Sequence, residues 1–266
     1  MSFHMKVKVL GCGGSGGVPL ASGKPGGDWR SCSPDNPRNR RRRCSIHIET
    51  GQRAGILIDT SPDLRAQVLS EGIQQIDMVL FTHDHADHTH GLDDLRAFAY
   101  GRSTPIPAYM SRETHESLTP KFSYAFESTH TNSRLYPAML ADRVFDYGDF
   151  EAEGVTITAI RQSHGNIETT GFRVGNLAYS TDVVDFQDKE LEKLKGIETW
   201  IVDSLRMEPH PTHAHFEKTL KWIREVQPRQ AVLTHMNHTM DYDHVKALCP
   251  KGVEPAYDGM VLQCEG

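Results

Sequence analysis

The stretch "FTHDHADHTHGL", Phe81 to Leu92, places four histidines and two aspartates between His83 and His90. Neutral imidazole and carboxylate are borderline-to-hard donors that suit Zn, Mn or Fe better than soft metals. His83 and His85 stand two apart, so both can reach one ion where an apolar strand gives way to a loop. Asp87 and His88 follow and can turn toward a second ion. Further along, "RQSH", "YSTD" and "VLTH" offer His164, Asp182 and His235. With His164 and His235 as terminal ligands and Asp182 bridging, two ions have full shells. The competing reading is a solvated loop of histidines. The spacing argues against it, because burying so many polar groups behind a strand without a partner ion is costly.

These residues need a scaffold, and the sequence supplies one. Four apolar strands each end on a candidate ligand: "VLFTH", "ITAIRQSH", "LAYSTD" and "AVLTH". Functional groups tend to sit at the strand ends of a rigid sheet, so these ends are expected at one edge. Around them, "MKVKVLG", "CSIHIET", "GILIDT", "TWIVDS" and "MVLQC" read as further strands. "SPDLRAQVLSEG" reads as a helix capped by Ser61, with Pro62 at its first position and Gly72 as its stop. "GLDDLRAFAY", "DKELEKLKG" and "AHFEKTLKWIREV" are also expected to be helical. Pro105 to Phe150 has no distinctive pattern. Strands and helices interleave without a linker or a fixed repeat, which predicts one α/β domain over residues 1–266.

Composition narrows the function. A chain of 266 residues, 38% hydrophobic, can bury a sizeable core. Its formal net charge of −6 sets up no basic field, so nucleic acid is not the expected partner. No apolar run is long enough for a membrane span, and no hydrophobic leader is expected. Five cysteines without a Cys-x-x-Cys pair predict a reducing, cytoplasmic setting. "GCGGSGG" is read as a tight turn at the site edge, since no Gly-Lys-Ser/Thr follows it. "RNRRRRC", Arg38 to Cys44, is either a solvated or ion-paired face or an anchor for a second, non-reacting phosphate. Asp203 is read as structural. Asp258 is read either as backing a ligand or as facing substrate.

"THDHADH" resembles the signature of the metallo-β-lactamase superfamily, and His164, Asp182 and His235 match its later ligands in order. "GCGGSGGVP", "NRRRRCS", "LTHMNH" and "YDGM" resemble its phosphoribosyl 1,2-cyclic phosphate phosphodiesterase branch, the carbon–phosphorus-lyase-associated type. The resemblance implies an αββα sandwich with a centre for two divalent ions, Zn or Mn, at one edge of the sheets. His83, His85 and His164 would hold one ion, Asp87, His88 and His235 the other, and Asp182 would bridge. Asp59 would orient a ligand imidazole. The family's general acid matches His213 in "THAHFEKTL", with His215 close enough to remain an alternative. The implied reaction is hydrolysis of a small cyclic phosphate of ribose or a nucleotide. The alternatives are an RNA-processing nuclease of ribonuclease Z type and an acyl hydrolase of lactonase or glyoxalase II type. A metal-binding protein without hydrolytic activity is a further alternative, against which the intact ligand set and the candidate acid both argue. A small phosphorylated substrate is the expected partner, and a homodimer is compatible with the sequence. Members of the branch also carry a structural zinc on three cysteines and a histidine. Here Gly27 and Trp29 stand where the first two cysteines would be, which leaves Cys32 and His238. Two ligands do not close a tetrahedral site, so two ions per chain are expected rather than three.

Overall fold

The structure, a computed structural model, describes residues 4–51, 54–127 and 137–265. Two seven-stranded mixed sheets face each other. The first carries β1 (His4–Gly11), β2 (Ser45–Glu49), β3 (Gly55–Ile58), β4 (Met78–Leu80), β5 (Ile106–Met110), β6 (Leu140–Val144) and, from the other end of the chain, β14 (Val261–Glu265). Its order is β14-β1-β2-β3-β4-β5-β6. The second carries β7 (Gly148–Ala152), β8 (Val155–His164), β9 (Ile167–Val174), β10 (Leu177–Ser180), β11 (Thr199–Asp203), β12 (Gln230–Thr234) and β13 (Val253–Pro255), ordered β13-β12-β11-β10-β9-β8-β7.

The period-2 alternation of strand side chains assigns each face of the first sheet. Ile56 and Ile58 of β3 and Met78 and Leu80 of β4 point into the core between the sheets. Leu57 and Val79, one residue out of step, point to the outer face. There they meet Leu64 and Val68 of α1 (Leu64–Ser70), and Leu118 and Ala125 of two helices that follow β5. The helices on this side are completed by α2 (Ala86–Thr89), α3 (Arg96–Ala99), α4 (Arg112–Lys121) and α5 (Ser123–Phe126). The second sheet is covered by α6 (Asp188–Glu192), α7 (Phe216–Val226) and α8 (Tyr242–Leu248). On α7, Phe216, Leu220, Ile223 and Val226 form the apolar stripe that seals it. The result is the expected αββα sandwich.

The sequence reading departs from the structure in places. The helix expected from Ser61 begins at Leu64, because Ser61 turns inward: its hydroxyl accepts from Asp63 N–H at 3.1 Å and donates to Gln67 Oε1 at 2.9 Å. The helix expected in "GLDDLRAFAY" is a 3₁₀ turn, Leu92–Leu95, running into α3. Within Pro105 to Phe150 the described residues hold β5, α4, α5, β6 and β7. Strand β9, helix α8 and β13 also went unread. His130 lies outside the described residues.

Candidate metal centre

In each sheet the strands run parallel on the side that carries ligands: β3 to β4, and β10 through β13. Parallel strands end at the same edge, and side chains just beyond those ends meet there. Asp59 follows β3, His83 follows β4, Asp182 follows β10, Asp203 ends β11 and His235 follows β12. The β8–β9 hairpin brings His164 to the same edge. Asp59, Asp182 and His235 all take positive φ, at 63°, 53° and 58°. Non-glycine residues rarely adopt that left-handed conformation and are typically held in it at functional sites. Here it is the bend by which each chain leaves its strand and turns a side chain into the edge.

Two ligand groups form there. His83, His85, His164 and Asp182 bring their donor atoms within 4.8 Å of one another, and so do Asp87, His88, Asp182 and His235. Asp182 belongs to both and divides its oxygens between them. Its Oδ1 lies 3.8 Å from His83 Nε2 and 3.8 Å from His164 Nε2, while its Oδ2 lies 3.0 Å from His88 Nε2 and 3.4 Å from His235 Nε2. His88 and His235 also approach Asp87 Oδ2, at 3.3 and 3.7 Å.

Hydrogen bonds behind the rings set their tautomers. Asp59 accepts from Thr82 Oγ1 at 2.8 Å and from His88 Nδ1 at 2.7 Å. Thr82 therefore spends its proton on Asp59 and accepts from His83 Nδ1 at 3.0 Å. His164 Nδ1 donates to the Thr212 carbonyl at 2.7 Å. In all three rings Nδ1 is engaged from behind and Nε2 is the atom turned to the shared space, as in metal sites whose ligand imidazoles are held from behind. The Nε2 atoms of His83, His88 and His235 are buried and lack a properly directed hydrogen-bond partner. Buried polar atoms are normally paired. Unpaired nitrogens converging on one carboxylate fit divalent cations in both groups.

The charges follow from this packing. Burial disfavours charge on His88, but Asp182, Asp87 and Asp59 outweigh it and push its pKa well up. Burial likewise opposes charge on His235, and Asp182 and Asp87 bring it to about 9. Burial would raise Asp182, yet His235, His88 and His83 hold it well below the carboxylate range. On His83, which has fewer acidic neighbours, burial prevails and the pKa falls.

His213 stands at the junction. Its ring stacks on His235 at 4.6 Å and meets His164 edge-on at 4.6 Å. His213 Nε2 lies 3.9 Å from Asp182 Oδ1. Behind it, Nδ1 donates to Asp203 Oδ2 at 2.9 Å. Asp203 is therefore not merely structural: it fixes the tautomer and tilt of His213. That role could have been suspected from "TWIVDS", one more strand ending on a carboxylate at this edge. His215 stands at the N-cap position of α7, its backbone paired with Arg206, and of the two histidines left open by spacing it is His213 that lines the cavity over the ligand groups.

The remaining candidates lie elsewhere. Gly14 to Gly17 make the tight turn, closed by Gly17 N–H to Gly14 O at 2.8 Å, and a Cβ on Gly14 would sit 3.5 Å from His235 Cε1. The arginine block is spent on the protein. Arg42 pairs with Asp258 at 3.0 Å and Glu71 at 3.1 Å, Arg43 pairs with Asp63 at 3.1 Å, and Arg38 lies over the rings of Tyr242 and Tyr257. Asp258 therefore anchors Arg42; neither of its expected roles is seen. Arg41 is 2% exposed and donates to the carbonyls of Met240 and Asn237, with Cys32 Sγ 3.9 Å from its Nη1. A guanidinium thus supplies positive charge beside Cys32.

Comparison with known proteins places this arrangement. Residues 55–236 match the family described as the beta-lactamase superfamily domain. A solved structure, a new diphosphatase from the PhnP family, is 31% identical and superposes with a TM-score of 0.89 over 100% of this chain and 99% of its own. Zn(2+)-bound PqqB from Methylobacterium extorquens is 19% identical and superposes at 0.73 over 97% and 99% of the two chains, a likeness of fold. A curated relative, an octanoyltransferase of Porphyromonas gingivalis, is 31% identical over 259 residues, which cover 96% of this chain and 51% of that protein. The chain spans about half the length of that relative. With the matched domain covering the edge that carries both ligand groups, the chain belongs to the beta-lactamase superfamily and, within it, to the PhnP family.

Proposed function

We propose that the protein is a metal-dependent phosphodiesterase that hydrolyses a small phosphate diester, a cyclic phosphate of ribose or of a nucleotide. The observation that carries this reading is the division of Asp182 between two ligand groups, with the Asp203–His213 pair at their junction. His83, His85 and His164 would hold one divalent ion, Zn or Mn, and Asp87, His88 and His235 the other, with Asp182 common to both. Such ions supply, near neutral pH, a hydroxide nucleophile and positive charge against the negative charge that builds on a phosphoryl oxygen.

The chain's own contribution is positioning and proton delivery. Asp59, Thr82 and the Thr212 carbonyl hold three imidazoles in one orientation, so the ligand set needs little rearrangement when charge develops. His213 carries one proton on Nδ1, shared with Asp203, and can take a second on Nε2, which faces the cavity. Donating the Nε2 proton to the departing alkoxide oxygen leaves a neutral alcohol and a neutral imidazole. Asp203, hydrogen-bonded to Nδ1, keeps the ring aimed throughout. The diphosphatase relative supports chemistry at phosphorus over chemistry at a carbonyl. All five cysteines are free, which supports the cytoplasm as the place of action.

The test is a side-by-side assay of the metal-loaded protein on a chromogenic phosphodiester, a thioester and a lactone. Turnover of the phosphodiester alone is expected. An inert phosphodiester beside a hydrolysed thioester or lactone would overturn the proposal.

A further inference from the structure

The cavity over the two ligand groups has a volume of about 370 Å³, and on the His164 side its rim is the tip of the β8–β9 hairpin, Asn166 and Ile167. A second cavity of about 410 Å³ lies across that tip and shares both residues. Two features of the tip are unusual for this chain. Ile167 is 39% exposed, although most large apolar side chains here are buried. The Asn166 amide, exposed between the two cavities, has no hydrogen-bond partner among the described residues. The second cavity's three charged groups are already paired. Arg161 pairs with Glu168 and lies over the Tyr147 ring at 4.1 Å, and Asp185 pairs with Lys218 at 3.4 Å. What it leaves free is neutral: the Gln187 amide and the half-buried ring of Phe186, whose other contacts are Trp222 and Trp200.

We infer that this tip is a subsite for the ester group of the substrate, and that the group it takes is a nucleoside. The inference rests on the phosphodiesterase reading and narrows its substrate. A phosphate held at the metal centre would send its ester oxygen over Asn166, whose amide both donates and accepts and so suits sugar hydroxyls. Ile167 offers an apolar contact for the sugar face. Beyond it, Phe186 offers a ring for a base to pack on and Gln187 an amide for its edge. A second phosphate would find no unpaired cation among the described residues lining this cavity, so a neutral ring system fits better than a further anion.

The test is calorimetry on the metal-loaded protein with thymidine 5′-monophosphate, ribose 5-phosphate and methyl phosphate as probes. The nucleotide is expected to bind at least about tenfold tighter than methyl phosphate and more tightly than ribose 5-phosphate. Asn166→Ala should cut the nucleotide-to-methyl ratio about tenfold. Gln187→Ala, farther from the ligands, should reduce the nucleotide's advantage over ribose 5-phosphate. Metal content measured on each variant separates a lost subsite from a lost centre. Equal affinity for all three probes would overturn the subsite, and ribose 5-phosphate binding as tightly as the nucleotide would overturn the nucleoside. Hydrolysis of thymidine 5′-p-nitrophenyl phosphate is scored separately: its absence beside an intact nucleotide preference would overturn the reaction and leave the subsite standing.

Discussion

At the scale of single residues, Asp182 is the least replaceable group, because among the described residues it alone faces both histidine sets. Metal analysis of the purified protein should return about two ions per chain, the number a dinuclear centre holds. Asp182→Ala should bring this near zero, and full occupancy in that variant would remove the bridging assignment. Cys32→Ser should leave the count unchanged, since Arg41 already supplies charge beside that thiol; loss of a third ion in Cys32→Ser would show a cysteine site after all. His213→Ala should retain the ions and lose about 10²–10⁴-fold in kcat for esters with poor leaving groups, the span of general acid catalysis. The loss should shrink for nitrophenolate, which departs unprotonated. Asp203→Asn should cost about 10–100-fold, as removal of a ring-orienting partner does, and the cost should shrink for nitrophenyl esters as it does in His213→Ala. An equal cost for good and poor leaving groups would reduce Asp203 to a packing residue. The residues of the two candidate ligand groups were legible in the sequence because metal chemistry forces several of one residue type into a short run. Asp203 was not, because its partnership with His213 exists only once β11 has ended and the chain has looped back ten residues later.

At the scale of elements, the site depends on close approaches that strand and helix patterns do not announce. Asp87 and His88 ride on α2, which is clamped to the exit of β3: Thr60 N–H donates to His88 O at 2.7 Å, and Gly91 N–H to Thr60 O at 2.9 Å. A Cβ on Gly91 would lie 1.9 Å from the Ser61 carbonyl oxygen. Gly91→Ala should therefore cost about 1–3 kcal/mol, as overpacking does, and weaken metal binding at the Asp87–His88–His235 group before the other. Normal stability and metal content in Gly91→Ala would show that the clamp is slack. Strand β9 went unread because "IETTGFRV" mixes threonines, a glycine and charges without clean alternation; its pairing with β8 across eight positions overrides that weak local preference. On β2, His47 is 2% exposed, and burial lowers its pKa from the ordinary value. The unfolded chain then binds the proton more readily, so stability from His47 is present above about pH 6.5 and lost as pH falls through its depressed native pKa. The stability gap between His47→Gln and the parent, followed from pH 7.5 to pH 5, should move in favour of the variant. A gap constant with pH would mean that His47 does not titrate in this range.

At the scale of the whole molecule, the centre joins the two sheets. His83, His85, Asp87 and His88 follow β4 in the first sheet, whereas His164, Asp182 and His235 come from the second. The sandwich was legible because the interleaved pattern and the superfamily signature point to one fold. The interior between the sheets explains why the edge can be polar: Tyr179, Phe172 and the isoleucines of β2 and β3 fill it without help from the ligands. The edge is held differently. The described residues there present like-sided imidazoles around Asp182, and a cation that binds them binds only the folded chain. Ligand binding of that kind stabilises by about 2.7 kcal/mol at a hundredfold excess over Kd, which for a chain of this size shifts Tm by about 5–10 °C. Chelation should lower the melting temperature by that amount, and Zn or Mn should restore it. Asp182→Ala should melt at one temperature with or without chelator. If the parent were equally indifferent, the two sheets would be held by their apolar interface alone, and the ligand edge would contribute chemistry without contributing to the stability of the fold.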